Sequence, residues 1–435
     1  MERSKQRLKH FTTSLSVGWF LAYRQVKRSS FATTALIIFV MTLTFLNLVV
    51  VRGVLVGLIQ GSTDVYKSVY AGDILITALP KKDYIENSPS VLSIAKAMPW
   101  TETVTYRYVA GATIEAGYKT KVKLTDEPNS AAGSIVGIDP ALEDKATGLS
   151  TKVVEGSYLN ENDSDSILIG ANFLRKYLNI EAPGLSLLEN VAPGDRVRLT
   201  IEGNVKEFTV KGILQSKADQ VDFRMFMLDS TLRNLIGRGD FNVDEISIIL
   251  KPNTDPNMVK DAFVKAGVDK YAKVQTWEES LPKFLLDIKN TFGLLGNVVG
   301  SIGLIAASIT IFIVIFVNAI TRRKFIGILK GIGIDSMAIE FSYVLQSFFY
   351  AFIGIGIGLV ILYGFMVPFI TAHPIKFPFS DGTLVAEVPN TMVRAAILMI
   401  ATLIAGYIPA RIVVKQNTLD AILGRANQKT KKKKS

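Results

Sequence analysis

The chain has no cysteine and only two histidines, His10 and His373. Without cysteine there are no disulfides and no thiol nucleophile, so each folded unit must rest on its own core; this does not fix a compartment. Both histidines lie outside the long polar segment 52–290, which therefore cannot assemble a Ser-His-Asp triad or a histidine metal site. No G-x-x-x-x-G-K-[ST] run occurs, so the chain does not hold ATP through a P-loop of its own. Its long apolar runs carry no ionisable residue in their interiors, which disfavours a proton-coupled pathway. The remaining carboxylate groups, Glu161, Asp163 and Asp165 and the pair Glu278 and Glu279, sit in polar stretches and read as solvated loops. A non-catalytic chain is expected, with no catalytic residues, no metal and no cofactor of its own.

What is present is an uneven distribution of apolar sequence. Ser29 to Val51 carries no charge, and three further apolar runs follow late, Thr291 to Thr321, Phe341 to Ala372 and Ala395 to Ala410. A bilayer core needs about 20 apolar residues per helix. The first three suffice, and the fourth does once Arg394 and Arg411 snorkel so that 393–414 spans. The expected fold class is an α-helical membrane protein of four transmembrane helices, with an α+β extracytoplasmic domain inserted between helices 1 and 2. The net charge of +11 does not point to nucleic acid. Segments 1–28, 321–340 and 411–435 together carry +15, whereas 52–290 carries −4. A basic excess at membrane ends that share one side places both termini and the 321–340 loop in the cytoplasm. The expected order is a basic cytoplasmic segment 1–28, helix 1 and the start of a stalk 29–58, the outer domain 59–288 and helix 2 289–321. A cytoplasmic elbow 322–340, helix 3 341–370, an external loop 371–392, helix 4 393–414 and a basic tail 415–435 complete it. No cleavable signal peptide is expected, because the first apolar run is too long for an h-region and reads as a retained anchor. The terminal lysines, Lys429 and Lys431 to Lys434, read as a solvated end.

Leu15, Trp19, Tyr23 and Val26 recur at helical spacing before the first run, which suits an amphipathic helix in the interface. In the outer domain, strands are expected at Asp73 to Thr77, Thr103 to Ile114, Lys121 to Leu124, Ser134 to Ile138, Ser166 to Gly170, Glu245 to Leu250 and Ala272 to Thr276. A hairpin pairs Arg196 to Ile201 with Lys206 to Ile213. Helices are expected at Ser88 to Ala97, Asn172 to Tyr177 and Pro256 to Ala266. The outermost β-α-β elements bracket the central strands, which predicts an open α/β subdomain interrupted by a mostly β one. Gly293, Gly296, Gly300 and Gly303 line helix 2, and Gly354 and Gly358 form a second G-x-x-x-G. Such stripes allow close helix approach, within the chain or at a dimer seam, and spacing alone does not choose. The polar residues Asn47, Asn297, Asn318 and Gln346 read as interhelical hydrogen-bonding groups.

Between helices 2 and 3 lies Arg322-Arg323-Lys324-Phe325-Ile326-Gly327-Ile328-Leu329-Lys330-Gly331-Ile332-Gly333. It is too apolar for a solvated loop and too short for a span, so it needs a surface to bury against. This elbow resembles that of the MacB/FtsX/LolC-type permeases of ABC transporters, R-x-[RK]-E-I-G-I-L-[RK]-A-[IL]-G. It departs at Phe325, where Glu is usual, and at Gly331, often Ala; Gln346 likewise stands where many members have Glu. Pro409-Ala-Arg411 and Ala421-Ile422 resemble the family's ending, with Val413 for Ala and Thr418 for Pro, and Leu21 to Arg28 its basic lead-in. Val153 to Gly156, Ile167 to Gly170, Gly194-Asp195 and Val210 to Ile213 are similar to its outer domain. The resemblance implies a permease subunit that pairs with a second one, homo- or heterodimeric, and seats residues 322–333 on a separate cytoplasmic ATPase, which holds the ATP and Mg. It implies mechanotransmission to the outer domain, for export or extraction of a hydrophobic, lipid-linked or extracytoplasmic substrate. The alternative is an FtsX-like signal transmitter acting on an external partner such as a cell-wall hydrolase. On this reading Leu329→Asp is expected to detach the ATPase.

Overall fold

The computed structural model describes residues 2–119, 128–178, 184–377 and 380–415, with side chains from residue 13 onward except 307, 318 and 375–381. The strand expected at Lys121 to Leu124, the basic tail from 416 and the side chain of Asn318 lie outside these residues. Two compact units form, one from Met1–Leu58, Ile288–Ile375 and Gly382–Ser435, the other from Ile59–Asp287 with Lys376–Asp381.

The chain opens with α1 (Glu2–Lys27) and α2 (Phe31–Tyr66), and α2 runs on as a π-helical turn, Lys67–Ala71. The helix α2 thus continues well past the first apolar run, which ends at Val51. In the sheet unit follow β1 (Ile74–Ala78), α3 (Ser88–Ala97), β2 (Thr101–Ala116), β3 (Ser130–Ile138) and α4 (Pro140–Thr147). Next come β4 (Val153–Gly156), β5 (Ser166–Gly170), β6 (Arg196–Ile201), β7 (Asn204–Leu214), α5 (Asp219–Asp222) and β8 (Arg224–Leu228). The unit closes with α6 (Asp229–Leu235), β9 (Glu245–Leu250), α7 (Pro256–Lys265) and β10 (Ala272–Thr276).

Four of these strands stand in the order β10-β1-β9-β2, every neighbour antiparallel. With α3 joining β1 to β2 and α7 joining β9 to β10, this is the split β-α-β, ferredoxin-like arrangement. The central strands enter between its second and third. They are not a separate sheet, because β2 belongs to both parts. Its first half, Thr101 to Arg107, pairs with β9, and its second half pairs with β3 on one edge and β6 on the other. From β3 the pairings pass to β8, β5, β7 and β6 and so back to β2. Six strands therefore close on themselves, which removes their free edges. The helix expected at Asn172 to Tyr177 is instead a single 3₁₀ turn, Ala171–Phe173. Phe173 and Leu174 are both buried and Leu174 bridges Leu188, so consecutive side chains bury and the chain leaves helical geometry.

The helical unit continues with α8 (Lys283–Thr321), α9 (Arg323–Gly331) and α10 (Ser336–Ile361), the last extended by a π turn, Leu362–Met366, into α11 (Val367–Ala372). The backbone pair β11 (Ile375–Phe377) and β12 (Ser380–Gly382) precedes α12 (Val388–Val414). Four helical segments are long and apolar enough to cross a membrane: Phe31–Ala71, Lys283–Thr321, Ser336–Ala372 and Val388–Val414.

Small residues set how these helices meet. A Cβ at Gly354 or Gly358 would strike Met41 or Phe45 of α2, and one at Gly406 would strike Ser347 of α10. On α8, a Cβ at Gly303 would lie 2.9 Å from Asn47 Oδ1, and at Gly300 3.3 Å from Leu48. Gly296 faces Arg52 at 3.3 Å, while Gly293 faces open space. Both G-x-x-x-G stripes therefore face α2 of the same chain. Against α10 lies α1, through the buried Ser14, Leu21, Ala22 and Gln25 and through Gly18, where a Cβ would meet Phe341. Gln346 donates to the Gln25 side-chain carbonyl, and Ser14 Oγ donates to Asp335, the N-cap of α10, at 3.0 Å. Trp19 and Tyr23 stay exposed on the opposite face of α1.

Candidate functional site

The elbow is a short helix with two different faces. Ile326, Gly327 and Leu329 are buried, and the two aliphatic side chains share an apolar cluster with Ile339, Tyr343, Val413 and Val414. Lys330 Nζ donates to the Val414 carbonyl at 2.9 Å, tying α9 to the end of α12. Gly333, at φ +91°, makes the left-handed turn that ends the elbow, and its N–H donates to Lys330 O at 3.1 Å. Arg322 and Arg323 are half-buried, whereas Lys324 and Gly331 are exposed. Phe325, Ile328 and Ile332 are 49%, 51% and 71% exposed. Spaced three and four residues apart, they form one apolar stripe turned away from the bundle. Leu329 faces inward, which corrects the expectation for Leu329→Asp: a charge there would unseat the elbow before testing any partner. Phe325 extends the exposed stripe by one apolar side chain where a carboxylate would have stood.

A second constellation, in the sheet unit, was not legible as a motif. The last turns of α2 present Tyr66 and Tyr70, with ring centroids 5.4 Å apart. Tyr66 Oη donates to Ser280 O at 2.8 Å, just before α8 begins. Lys67 pairs with Asp73 at 2.8 Å and lies over the Trp277 ring. Tyr70 Oη donates to Glu245 Oε1 at 2.9 Å, and its backbone carbonyl accepts from Arg107 Nη1 at 2.9 Å. Arg107, 2% exposed, reaches Glu143 with Nη2 at 2.6 Å and with Nε at 3.1 Å. Arg224 donates to both oxygens of Glu245, at 3.1 and 2.9 Å. Two arginines and two glutamates thus sit together with their charges balanced, around the Tyr70 ring. Buried charges are tolerable only when paired and hydrogen-bonded in this way. The five residues come from five elements, and one faint signal was Arg107, the one basic residue of β2, lying between Tyr106 and Tyr108.

Burial works against an ionised Glu245, but Arg224, Arg107 and the Tyr70 hydroxyl outweigh it and hold its carboxyl at about 2, below the ordinary 4.5. The stabilisation is therefore complete above pH 4.5 and lost as pH falls through about 2. Asp222 runs the other way. Burial lifts it to about 6 although it accepts from Ser216 and Lys217. Its contribution is present below 3.8 and lost as pH rises through about 6. Amide-exchange protection of β9, corrected for intrinsic rate, should fall between pH 4.5 and 2 in the wild type, and Glu245→Gln should remove that acid step. An identical step in the variant would assign it elsewhere. Of the acidic residues singled out in the sequence, Asp163 pairs with Lys211 in a half-buried contact, while Asp165 pairs with Lys206 at 2.8 Å and Glu279 with Lys260 at 2.6 Å nearer the surface.

Residues 297–418 match the family described as FtsX-like permease C-terminal. The chain carries an FtsX-like permease domain. That stretch takes in the elbow and Pro409-Ala-Arg411, so the resemblance to permeases of the MacB/FtsX type stands on the residues that first carried it. A curated relative, an uncharacterized ABC transporter permease of Methanocaldococcus jannaschii, is 24% identical over 279 residues, 62% of this chain. The match spans 65% of that relative's length. Among solved structures, the periplasmic region of MacB from Actinobacillus actinomycetemcomitans overlaps 49% of this chain and 92% of its own. There the identity is 14% and the TM-score 0.33, which adds nothing to what the strand pairings already establish.

Proposed function

We propose that this permease is the membrane subunit of an ABC transporter, driven by a separate ATPase seated on α9. The carrying observation is the two-faced elbow within the matched domain, locked inward by Leu329 and Lys330 and presenting Phe325, Ile328 and Ile332 outward. Burying the exposed parts of these three side chains contributes about 1–2 kcal/mol each, so the stripe supports a stable seat. The basic excess of segments 1–28, 321–340 and 411–435 favours the cytoplasm for this end and the opposite side for the sheet unit. The continuous helix from Phe31 into the Tyr66–Tyr70 anchor favours mechanotransmission, in which movement in the bundle is passed along α2 and α8. The load on this reading is a hydrophobic, lipid-linked or extracytoplasmic substrate, and the working form pairs this chain with a second permease subunit. ATP and Mg belong to the ATPase. Tagged permease purified from its native membranes in mild detergent should bring down a P-loop ATPase in near-stoichiometric amount. Its absence from a folded, monodisperse preparation would remove the reading.

A further inference from the structure

Where α2, α8 and α12 meet, a cavity of about 310 Å³ is lined by Leu48, Arg52, Asn297, Ser301, Asn390 and Arg394, with Leu304 and Ile397 among its apolar walls. No carboxylate is among its described lining residues. Arg52 Nη1 donates to Asn297 Oδ1 at 2.8 Å, and Arg394 Nη1 donates to the Leu48 carbonyl at 3.0 Å. Both guanidiniums are thus held toward the cavity by neutral acceptors, which leaves their charge unbalanced there. Gly296 and Gly300 keep α8 close enough for this, since a Cβ at either would press on Arg52 or Leu48.

The depth of the site matters as much as its charge. Arg52 stands 21 residues beyond Phe31, about 31 Å along a helix, roughly one hydrocarbon thickness. On α12 it is matched by Arg394, since its hydrogen bond to Leu48 sets it at the same level. A pair of arginines at headgroup depth, above an apolar crevice, complements a bidentate anion carrying a hydrocarbon tail. Arginines that merely snorkel would point into bulk headgroups; these are fastened to neighbouring helices.

We infer that this cavity binds the phosphate group of an anionic amphiphile, with Arg52 and Arg394 gripping the phosphate and Leu48, Leu304 and Ile397 taking the start of the tail. The inference rests on reading the four helices as membrane spans, and it deepens the proposed function by naming a substrate class and a site.

The test is native mass spectrometry of full-length permease titrated with phosphatidylglycerol, with phosphatidylcholine of the same chains, and with inorganic phosphate. Phosphatidylglycerol should bind at least tenfold more tightly than phosphatidylcholine. Arg52→Gln with Arg394→Gln should abolish that preference, and Arg52→Lys with Arg394→Lys should retain a reduced preference, since the charge stays while the forked contact is lost, showing that charge rather than folding is lost in the glutamine variant. Equal retention of the two lipids, or a preference unchanged in the glutamine variant, overturns the site. Inorganic phosphate binding as tightly as phosphatidylglycerol overturns the amphiphile in favour of a free anion. Ile328→Asp permease should keep the lipid preference while losing the ATPase, so failure of this site and failure of the coupling reading are separately visible.

Discussion

Ile328→Asp should strip the ATPase from the purified permease and leave the bundle intact. Ile328 is half exposed and lies at the centre of the stripe between Phe325 and Ile332, so the substitution leaves the buried elbow residues Ile326 and Leu329 in place. In a seated complex it would lose the transfer energy of the exposed half of an isoleucine side chain, about 1 kcal/mol. It would also bury a carboxylate with no designated partner, which costs several kcal/mol more. At 1.4 kcal/mol per tenfold, a combined loss of about 4 kcal/mol weakens binding roughly a thousandfold. The measurement is the amount of ATPase recovered per tagged permease, with elution volume as the check on folding. Ile328→Leu should retain it. Full recovery with Ile328→Asp, and again with Phe325→Asp, would mean that the seat lies elsewhere.

Arg107→Met is expected to be the most damaging single change in the sheet unit. It removes the partner that Glu143 meets through both oxygens and one of the two arginines on Glu245, while leaving the carboxylates buried. Breaking a buried pair from one side costs about 3–5 kcal/mol. Amide-exchange protection in β2, β9 and α4 of the intact permease should therefore fall by roughly two to three orders of magnitude, at 1.4 kcal/mol per decade. Adding Glu143→Gln should recover part of the loss, because it neutralises the stranded charge. A fall of less than tenfold in Arg107→Met would show that the charges are solvated, and that Tyr70 is not anchored by them.

Legibility divided along the range over which each feature is encoded. The four long helices could be read directly, because a bilayer-spanning segment is a local property of about 20 residues. The strands with alternating or bounded apolar residues, such as Glu245 to Leu250 and the hairpin around Glu202 to Asn204, were local as well. The strand β8 was not, since four of its five residues are buried and it shows no alternation. It lies between β3 and β5 inside the closed circuit, covered on both faces. The helix α4 was missed although Asp139, Pro140 and Gly148 mark its ends, because its eight residues hold too little apolar periodicity. The elbow could be recognised as a motif, but its faces could not be assigned. Ile326, Ile328 and Leu329 are chemically alike, and only packing against Ile339, Tyr343 and Val414 separates the buried from the exposed.

By itself, the sequence determined that this is a helical membrane-type chain with a large cysteine-free α+β insertion, and that its most specific segment lies between the second and third long helices. Tertiary structure alone decided that the two G-x-x-x-G stripes close on α2, that Arg107, Glu143, Arg224 and Glu245 meet around Tyr70, and that Arg52 and Arg394 share one cavity. Apolar length and local periodicity are written in neighbouring residues. Charge pairs and cavities join residues tens to hundreds of positions apart, and a single chain read in order carries no record of which of those will touch.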